Sequence, residues 1–268
     1  MCLLIVVFGL DERWPLVVAA NRDERLDRPA LPMTVLQAAE PRILGGRDQL
    51  AGGTWLAVNE HGVVAGLTNR PRPGDPRLRS RGEIPLALAS QPTAPAAVEY
   101  LAARFQPSDF NAAWLLVGDR DSLFSVDMTG DEVVVAAQDP GVHILENRPL
   151  GDPSPKLARV TSLVGDGTGP GVELVERLVA VLGDHQFPAE LPSDENGSPR
   201  RPGSSAACVH LDDFGTRSST IIRVPGSTLD RPEVRFAPGP PCVSGFVTGD
   251  PLWDPGADLS RPAPIPRG

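Results

Sequence analysis

Cysteine is scarce in this sequence, with 3 among 268 residues. An odd, low count cannot build a disulfide framework, and it points to a reducing compartment. Aromatic residues make up only 5% of the chain, with a single Tyr. Positive charge is also short: 25 Lys+Arg stand against 34 Asp+Glu, a net charge of −9. No surplus is left to neutralise phosphates, which excludes general nucleic-acid binding and attraction to anionic membranes. Long hydrophobic runs are missing too. The apolar run Leu3 to Phe8 is too short for a signal-peptide core and lacks a basic flank, and no run approaches the roughly 18 residues of a membrane span. The expectation is a cytoplasmic protein with no nucleic-acid partner and no membrane insertion. Its oligomeric state is not written in the sequence.

What is present suffices for a core, since 41% of the residues are apolar. Pro 30 and Gly 27 together make about a fifth of the chain, below the roughly 25–30% of low-complexity disorder but enough to require substantial loop. Leu3–Phe8 and Leu16–Ala20, separated by Gly9–Pro15, read as a buried hairpin. A second hairpin, Thr54–Asn59 with Val63–Thr68, turns at Asn59-Glu60-His61-Gly62, where Asn and Gly tolerate positive φ. Between Glu83 and Phe105 the period becomes helical, with Thr93 as N-cap.

Ala112–Gly118, Ser122–Met128 and Glu132–Ala137 then read as a meander, with Val142–Leu145 as a fourth strand. Helical patterns follow at Lys156–Val164 and Val172–Leu182. A polar stretch, Pro188–Ser205, precedes the final strands Ala206–Leu211 and Ser219–Val224. This order of hairpins and helices predicts an α+β fold with helices packed on two stacked antiparallel sheets. Residues 1–248 are expected to form one domain, and the Pro-rich residues 249–268 an extended or disordered tail.

Among residues that can do chemistry, Cys2 carries the most information. Removal of Met1 leaves Cys2 with both a thiol, pKa about 8.5, and a free α-amine, pKa about 8, so one residue holds nucleophile and base. The plain alternative is a small hydrophobe at the start of a strand. The segment Ala20-Asn21-Arg22-Asp23-Glu24-Arg25 breaks from an apolar strand into packed charge. It reads either as a solvated turn at the strand end or as a functional pair in which Asp23 orients an amine and Arg22 lowers a thiol pKa.

The blocks Met1-Cys2-Leu3-Leu4-Ile5-Val6, Asn21-Arg22-Asp23-Glu24, Gly45-Gly46-Arg47-Asp48, Gly52-Gly53-Thr54-Trp55-Leu56 and Leu67-Thr68-Asn69 occur in order. Ser80-Arg81-Gly82, Leu115-Leu116-Val117-Gly118-Asp119 and Gly215-Thr216-Arg217-Ser218-Ser219-Thr220 follow. From Met1 to Val224 the chain resembles the NRDE-motif family, the transport-and-Golgi-organisation relatives. That resemblance implies the N-terminal-nucleophile hydrolase type of fold, a four-layer αββα sandwich with the nucleophile opening the first strand. Carried over by position from the similar choloylglycine-hydrolase and penicillin-acylase group, Cys2 matches the nucleophile, Arg22 and Asp23 the charged pair, Asn69 an oxyanion donor and Arg217 a late Arg. Asn147 matches the second Asn, although this chain reads Leu145-Glu146-Asn147-Arg148 where the family usually has Ser-Asn.

The implied activity is amide hydrolysis or acyl transfer on a small acyl amide or thioester, through an acyl-Cys2 intermediate. Neutral donors such as Asn69 and Asn147 suit an oxyanion because they do not titrate near neutral pH. The alternative from a different class is a non-catalytic haem or acyl-lipid binding or trafficking protein on the same scaffold. The chain has no haem-attachment motif.

Other motifs are weaker. Arg70, Arg72, Arg77, Arg79 and Arg81, interleaved with Pro71, Pro73 and Pro76, form either a solvated loop or a substrate-binding lid for a carboxylate, phosphate or coenzyme A, with Arg81 the residue singled out. Gly165–Gly171 follows a helix and lacks the Lys and Ser/Thr of a phosphate loop, so it reads as a linker. Trp55 reads as core. His61, His143, His185 and His210, with Cys208 and Cys242, follow no zinc spacing, so neither a metal site nor a cofactor is expected.

Overall fold

The computed structural model describes residues 2–71, 74–169, 171–187 and 203–256. Six strands come before any helix: β1 Cys2–Phe8, β2 Leu16–Arg25, β3 Ala30–Gln37, β4 Ile43–Asp48, β5 Leu56–Asn59 and β6 Val64–Asn69. Helices α1 Glu83–Ala89 and α2 Ala94–Arg104 follow, then strands β7 Ala113–Gly118, β8 Leu123–Asp127, β9 Val134–Ala137 and β10 Gly141–Leu145. Helices α3 Pro155–Val164 and α4 Gly171–Leu182 precede strands β11 Phe214–Val224, β12 Glu233–Ala237 and β13 Val247–Thr248.

Two antiparallel sheets result, ordered β10-β1-β2-β11-β12-β13 and β3-β4-β5-β6-β7-β8-β9. Alternation along the strands divides their side chains between two faces. Leu4, Val6, Leu16 and Val18 of the first sheet meet Leu44, Leu56, Val64 and Leu116 of the second in the inter-sheet core. On the outer face of the first sheet, Leu3, Ile5, Val17 and Ala19 pack on Val160, Leu174 and Leu178 of α3 and α4. On the outer face of the second, Ala65, Leu67, Leu115 and Val117 pack on Ile84, Leu88 and Leu101 of α1 and α2. The layers therefore run αββα.

The structure departs from the sequence reading in ways that bear on function. The charged segment after Ala20 is no turn: β2 continues to Arg25, and Asn21, Arg22 and Asp23 are all buried. Their partners come from elements remote in sequence. Val142–Leu145 does not extend the meander; as β10 it crosses to the other sheet and pairs with β1, Leu145 opposite Leu4. Strands β3 and β4 were not expected, because Pro32 and the Gly45-Gly46 pair obscure the strand pattern. β3 is an edge strand, where proline costs least.

Ala206–Leu211 is buried from Ala206 to Val209 but forms no strand, making only one bridge, His210 to Gly215. A short apolar run alone cannot tell a strand from buried irregular backbone. The tail expected from residue 249 is corrected as well, because Leu252 and Trp253 are buried in the inter-sheet core. The Trp253 indole donates to the Pro232 carbonyl at 2.8 Å. The remainder of that expected tail, from residue 257, lies outside the described residues, as does most of Pro188–Ser205.

Candidate active site

Register decides which side chains meet. Cys2 is opposite Arg22 across the β1–β2 ladder. Because Leu4, Val6, Val18 and Ala20 face the second sheet, the period of 2 turns Cys2 and Arg22 the same way and sends Asn21 and Asp23 toward α3 and α4. A cleft of about 590 Å³ opens at this end of the sandwich, lined by Cys2, Arg22, Trp55, Asn69 and Arg81 among others. That size suits a small-molecule ligand.

Arg22 forms one wall. Its guanidinium lies 4.4 Å from the centre of the Trp55 ring and donates to Asp48 at 3.2 Å. Its Nη1, buried, has no hydrogen-bond partner among the described residues. Asp48 also accepts from Arg28 at 2.7 Å. Burial acts to raise the Asp48 carboxyl, but these partners hold it below the ordinary carboxylate range. Trp55 is thus half-buried and lines the cleft, rather than being pure core. Gly46 makes room for it, because a Cβ there would stand 1.9 Å from the indole ring.

The same logic explains the Gly53 and Gly82 positions. A Cβ on Gly53 would lie 2.4 Å from the Gly82 backbone, and Thr54 N–H donates to the Gly82 carbonyl at 2.9 Å. Two distant motif blocks thereby lock together and aim Arg81 into the cleft. Arg81 is anchored to the Ala112 carbonyl at 3.1 Å. Its pKa is lowered by burial, and among the described residues no carboxylate forms an ion pair with it.

On the far face, Asp23 is sealed. It accepts from the Thr216 hydroxyl at 2.6 Å, and Lys156 of α3, 2% exposed, brings its Nζ to 3.9 Å. Burial raises the Asp23 carboxyl, opposed chiefly by the Lys156 charge. Lys156 is a residue the sequence reading missed, since a single Lys in the first turn of an amphipathic helix gives no signal until α3 packs on β2. Asn21 has a stapling role: its amide donates to the carbonyls of Leu182 at 2.9 Å and Ala207 at 2.8 Å.

The Cys2 thiol is pushed up by burial, with the Asp23 charge adding to the rise, while an Asp23 backbone hydrogen bond and the Arg22 charge oppose it. Asn147 reaches this corner because β10 pairs with β1. Its Oδ1 accepts from the Cys2 backbone N–H at 2.9 Å and its Nδ2 donates to the Asn69 carbonyl. Both partners fix the amide orientation, because one only donates and the other only accepts. In this arrangement Asn147 holds the Cys2 nitrogen, whereas Asn69 lines the cleft.

The structure thus gathers Cys2, Arg22, Asp23, Asn69, Asn147 and Arg81 at one end of the sandwich. It does not bring Arg217 there. Arg217 occupies the β11 bulge between Thr216 and Ser218, which turns its guanidinium onto the Leu26 carbonyl in the β2–β3 turn. The Arg/Pro loop contributes Arg79 and Arg81 to the cleft lining, while Arg72 and Pro73 lie outside the described residues. Among the described residues no helix is long and apolar enough to cross a membrane.

The family model described as Transport and Golgi organisation 2 matches residues 1–230. The chain is 32% identical over 251 residues to the Transport and Golgi organization protein 2 homolog of Bos taurus, covering 84% of this chain and 88% of that protein. It is 31% identical over 252 residues to the Homo sapiens homolog, with the same shares covered. Among solved structures it is similar to a conjugated bile acid hydrolase variant from Clostridium perfringens, with TM-score 0.47, 11% identity, and 92% of this chain and 96% of the other covered. A Caenorhabditis elegans ortholog of N-acylethanolamine-hydrolyzing acid amidase gives TM-score 0.48 and 14% identity over 84% of this chain and 94% of its own.

Proposed function

The chain belongs to the Transport and Golgi organisation 2 family, and from its cleft we propose that it is a cysteine N-terminal-nucleophile hydrolase or acyltransferase acting on a small acyl amide or thioester. One observation carries the reading: Cys2 opens into the cleft opposite Arg22, and its backbone nitrogen is held by Asn147 at 2.9 Å. With Met1 removed, that nitrogen is an amine. Asn147 accepts one of its N–H groups, leaving the nitrogen lone pair for the thiol proton.

Cys2 Sγ attacks the acyl carbonyl while its proton passes to the α-amine. The resulting oxyanion is met by the Asn69 amide. The C–N or C–S bond breaks as the amine returns the proton to the leaving group, which leaves a thioester on Cys2. Water, or an acceptor amine, then attacks that thioester and gives its proton to the α-amine; the acyl–Sγ bond breaks, the acyl product leaves, and the proton returns to Cys2 Sγ. Arg22 favours the thiolate by its charge, and Asp23, compensated by Lys156, fixes the strand beneath it. Arg81 supplies a cation for an anionic group on the substrate.

Intact-mass analysis of the full chain tests this reading. Loss of Met1 and a mass adduct on Cys2 after incubation with p-nitrophenyl acyl esters and acyl amides are expected, with Cys2→Ala forming none. A chain that retains Met1, or one that binds haem in a spectral titration while Cys2→Ala turns substrate over normally, overturns it.

A further inference from the structure

Far from Cys2 in sequence, four side chains with soft or borderline donor atoms converge on one corner of the first sheet. His185 follows α4, Cys208 and His210 precede β11, and Cys242 lies between β12 and β13. Their ligand atoms all fall within 4.8 Å of one another. We propose that His185, Cys208, His210 and Cys242 form a tetrahedral Cys2His2 site for a zinc-class dication.

The distances are those an ion of this kind requires. With metal–sulfur bonds of about 2.3 Å and metal–nitrogen bonds of about 2.0–2.1 Å, tetrahedral geometry separates two sulfurs by about 3.8 Å and a sulfur from a nitrogen by about 3.6 Å. Here Cys208 Sγ and Cys242 Sγ are 3.9 Å apart. His210 Nε2 stands 3.6 Å from Cys208 Sγ and 3.3 Å from Cys242 Sγ. The His185 and His210 rings lie with centroids 4.8 Å apart, so the second imidazole approaches the same point.

The surroundings prepare the ligands. His185 Nδ1 is 3.2 Å from the Cys208 carbonyl, and a carbonyl only accepts, so Nδ1 carries the hydrogen and Nε2 keeps its lone pair. Cys208 N–H is held by the Asp184 carbonyl at 2.8 Å. Asp184 is itself clamped by Arg159 through two bonds of 2.5 and 2.8 Å. Cys208 is buried and the other three ligands are exposed, which leaves an entry from solvent.

No carboxylate belongs to the group, so the donor set selects against calcium and magnesium. On binding, the dication replaces two thiol protons, which leave to solvent, and the two thiolates balance its charge. Four protein ligands close the coordination sphere, the arrangement of a structural rather than a catalytic ion. A disulfide between Cys208 and Cys242 is the competing use of the pair, but it leaves the convergence of both imidazoles unexplained.

Such an ion ties together three segments that share few ladder bonds. It also backs the candidate active site from behind. Val209, between two ligands, exchanges hydrogen bonds with Thr216 at 2.8 and 2.9 Å. Thr216 in turn donates to Asp23.

The test uses the full chain, reduced, stripped with a chelator and reloaded with zinc or cobalt alone. One ion per chain by elemental analysis is expected, together with cobalt ligand-field bands of tetrahedral intensity and a sulfur-to-cobalt charge-transfer band. Cys242→Ser, at an exposed position, is expected to weaken zinc by more than about a hundredfold, beyond the 10–100-fold typical of outer-shell changes. Cys2→Ala is expected to leave the stoichiometry unchanged. A reduced chain that takes up no stoichiometric ion, an octahedral cobalt spectrum, or Cys242→Ser binding like the parent overturns the proposal. So does recovery of the chain with both thiols in a disulfide that added zinc does not prevent.

Discussion

Arg22 and Asp23 are neighbours in the chain and face opposite sides of one sheet. On the cleft side, Cys2 and Arg22 border a cavity of small-molecule size, and Arg22 Nη1 has no hydrogen-bond partner among the described residues. On the helix side, Asp23 meets Lys156 and Thr216 in the interior. The difference teaches that an ion-rich strand is tolerated when each face has its own solution: a cleft with an aromatic wall and a carboxylate partner for one charge and a buried countercharge for the other. Under the proposed function the first arrangement serves chemistry, while the second braces the strand from behind.

Substitutions on the two faces are therefore expected to fail in different ways. The largest effect belongs to the cleft: Cys2→Ala should abolish the acyl adduct in mass spectra while thermal unfolding stays close to that of the parent. A variant that unfolds instead would make Cys2 a packing residue. Next comes the helix face. Lys156→Met strands a buried carboxylate and should cost about 3–5 kcal/mol in denaturant unfolding, and adding Asp23→Asn should recover much of it.

The pH dependence of that deficit has a definite sign. Burial raises the folded Asp23 carboxyl above its unfolded value, so between the two values the folded state holds more protons and this group's contribution to stability falls as pH rises. Without Lys156 the folded value climbs further. The Lys156→Met deficit should therefore shrink as pH falls toward the unfolded carboxyl range, and a deficit independent of pH would mean the cost is packing alone.

Asn69→Ala should lower kcat about a hundredfold or more with KM little changed, as expected for a donor used in the transition state. Equal loss in KM would assign Asn69 to substrate binding. The smallest effect is on the thiol itself. Arg22 opposes the upward push of burial on Cys2, so Arg22→Leu should move the pH midpoint of Cys2 alkylation upward, whereas Arg217→Leu, remote from the cleft, should leave it in place.

Much of the frame was legible beforehand. Short apolar runs bounded by turn residues marked β1, β5, β6, β7 and β8, the helical period marked α2, α3 and α4, and Thr93 does cap α2, accepting from Ala96 N–H. Cys2 stood out because it follows Met1 and can carry both a thiol and a free α-amine, and Arg22 and Asp23 because packed charge breaks abruptly from an apolar strand. Lys156 did not, nor did the convergence of His185, Cys208, His210 and Cys242. Cys208 and Cys242 are 34 residues apart, a separation that matches no ligand spacing because three different segments supply the donors.

By itself, then, the sequence determined the two-sheet architecture and the identity of the residues at the start of β1 and the end of β2, since periodicity and local chemistry are properties of neighbours in the chain. Only the tertiary structure decided which faces those residues take, that Asn147 comes to the Cys2 nitrogen by way of the β10 crossover, and that Arg217 is turned away by a bulge. The reason is register. A shift of one residue exchanges the two faces of a strand, and it is the remote partners, Lys156, Asp48, Trp55 and Thr216, that make one register compatible with so much buried charge.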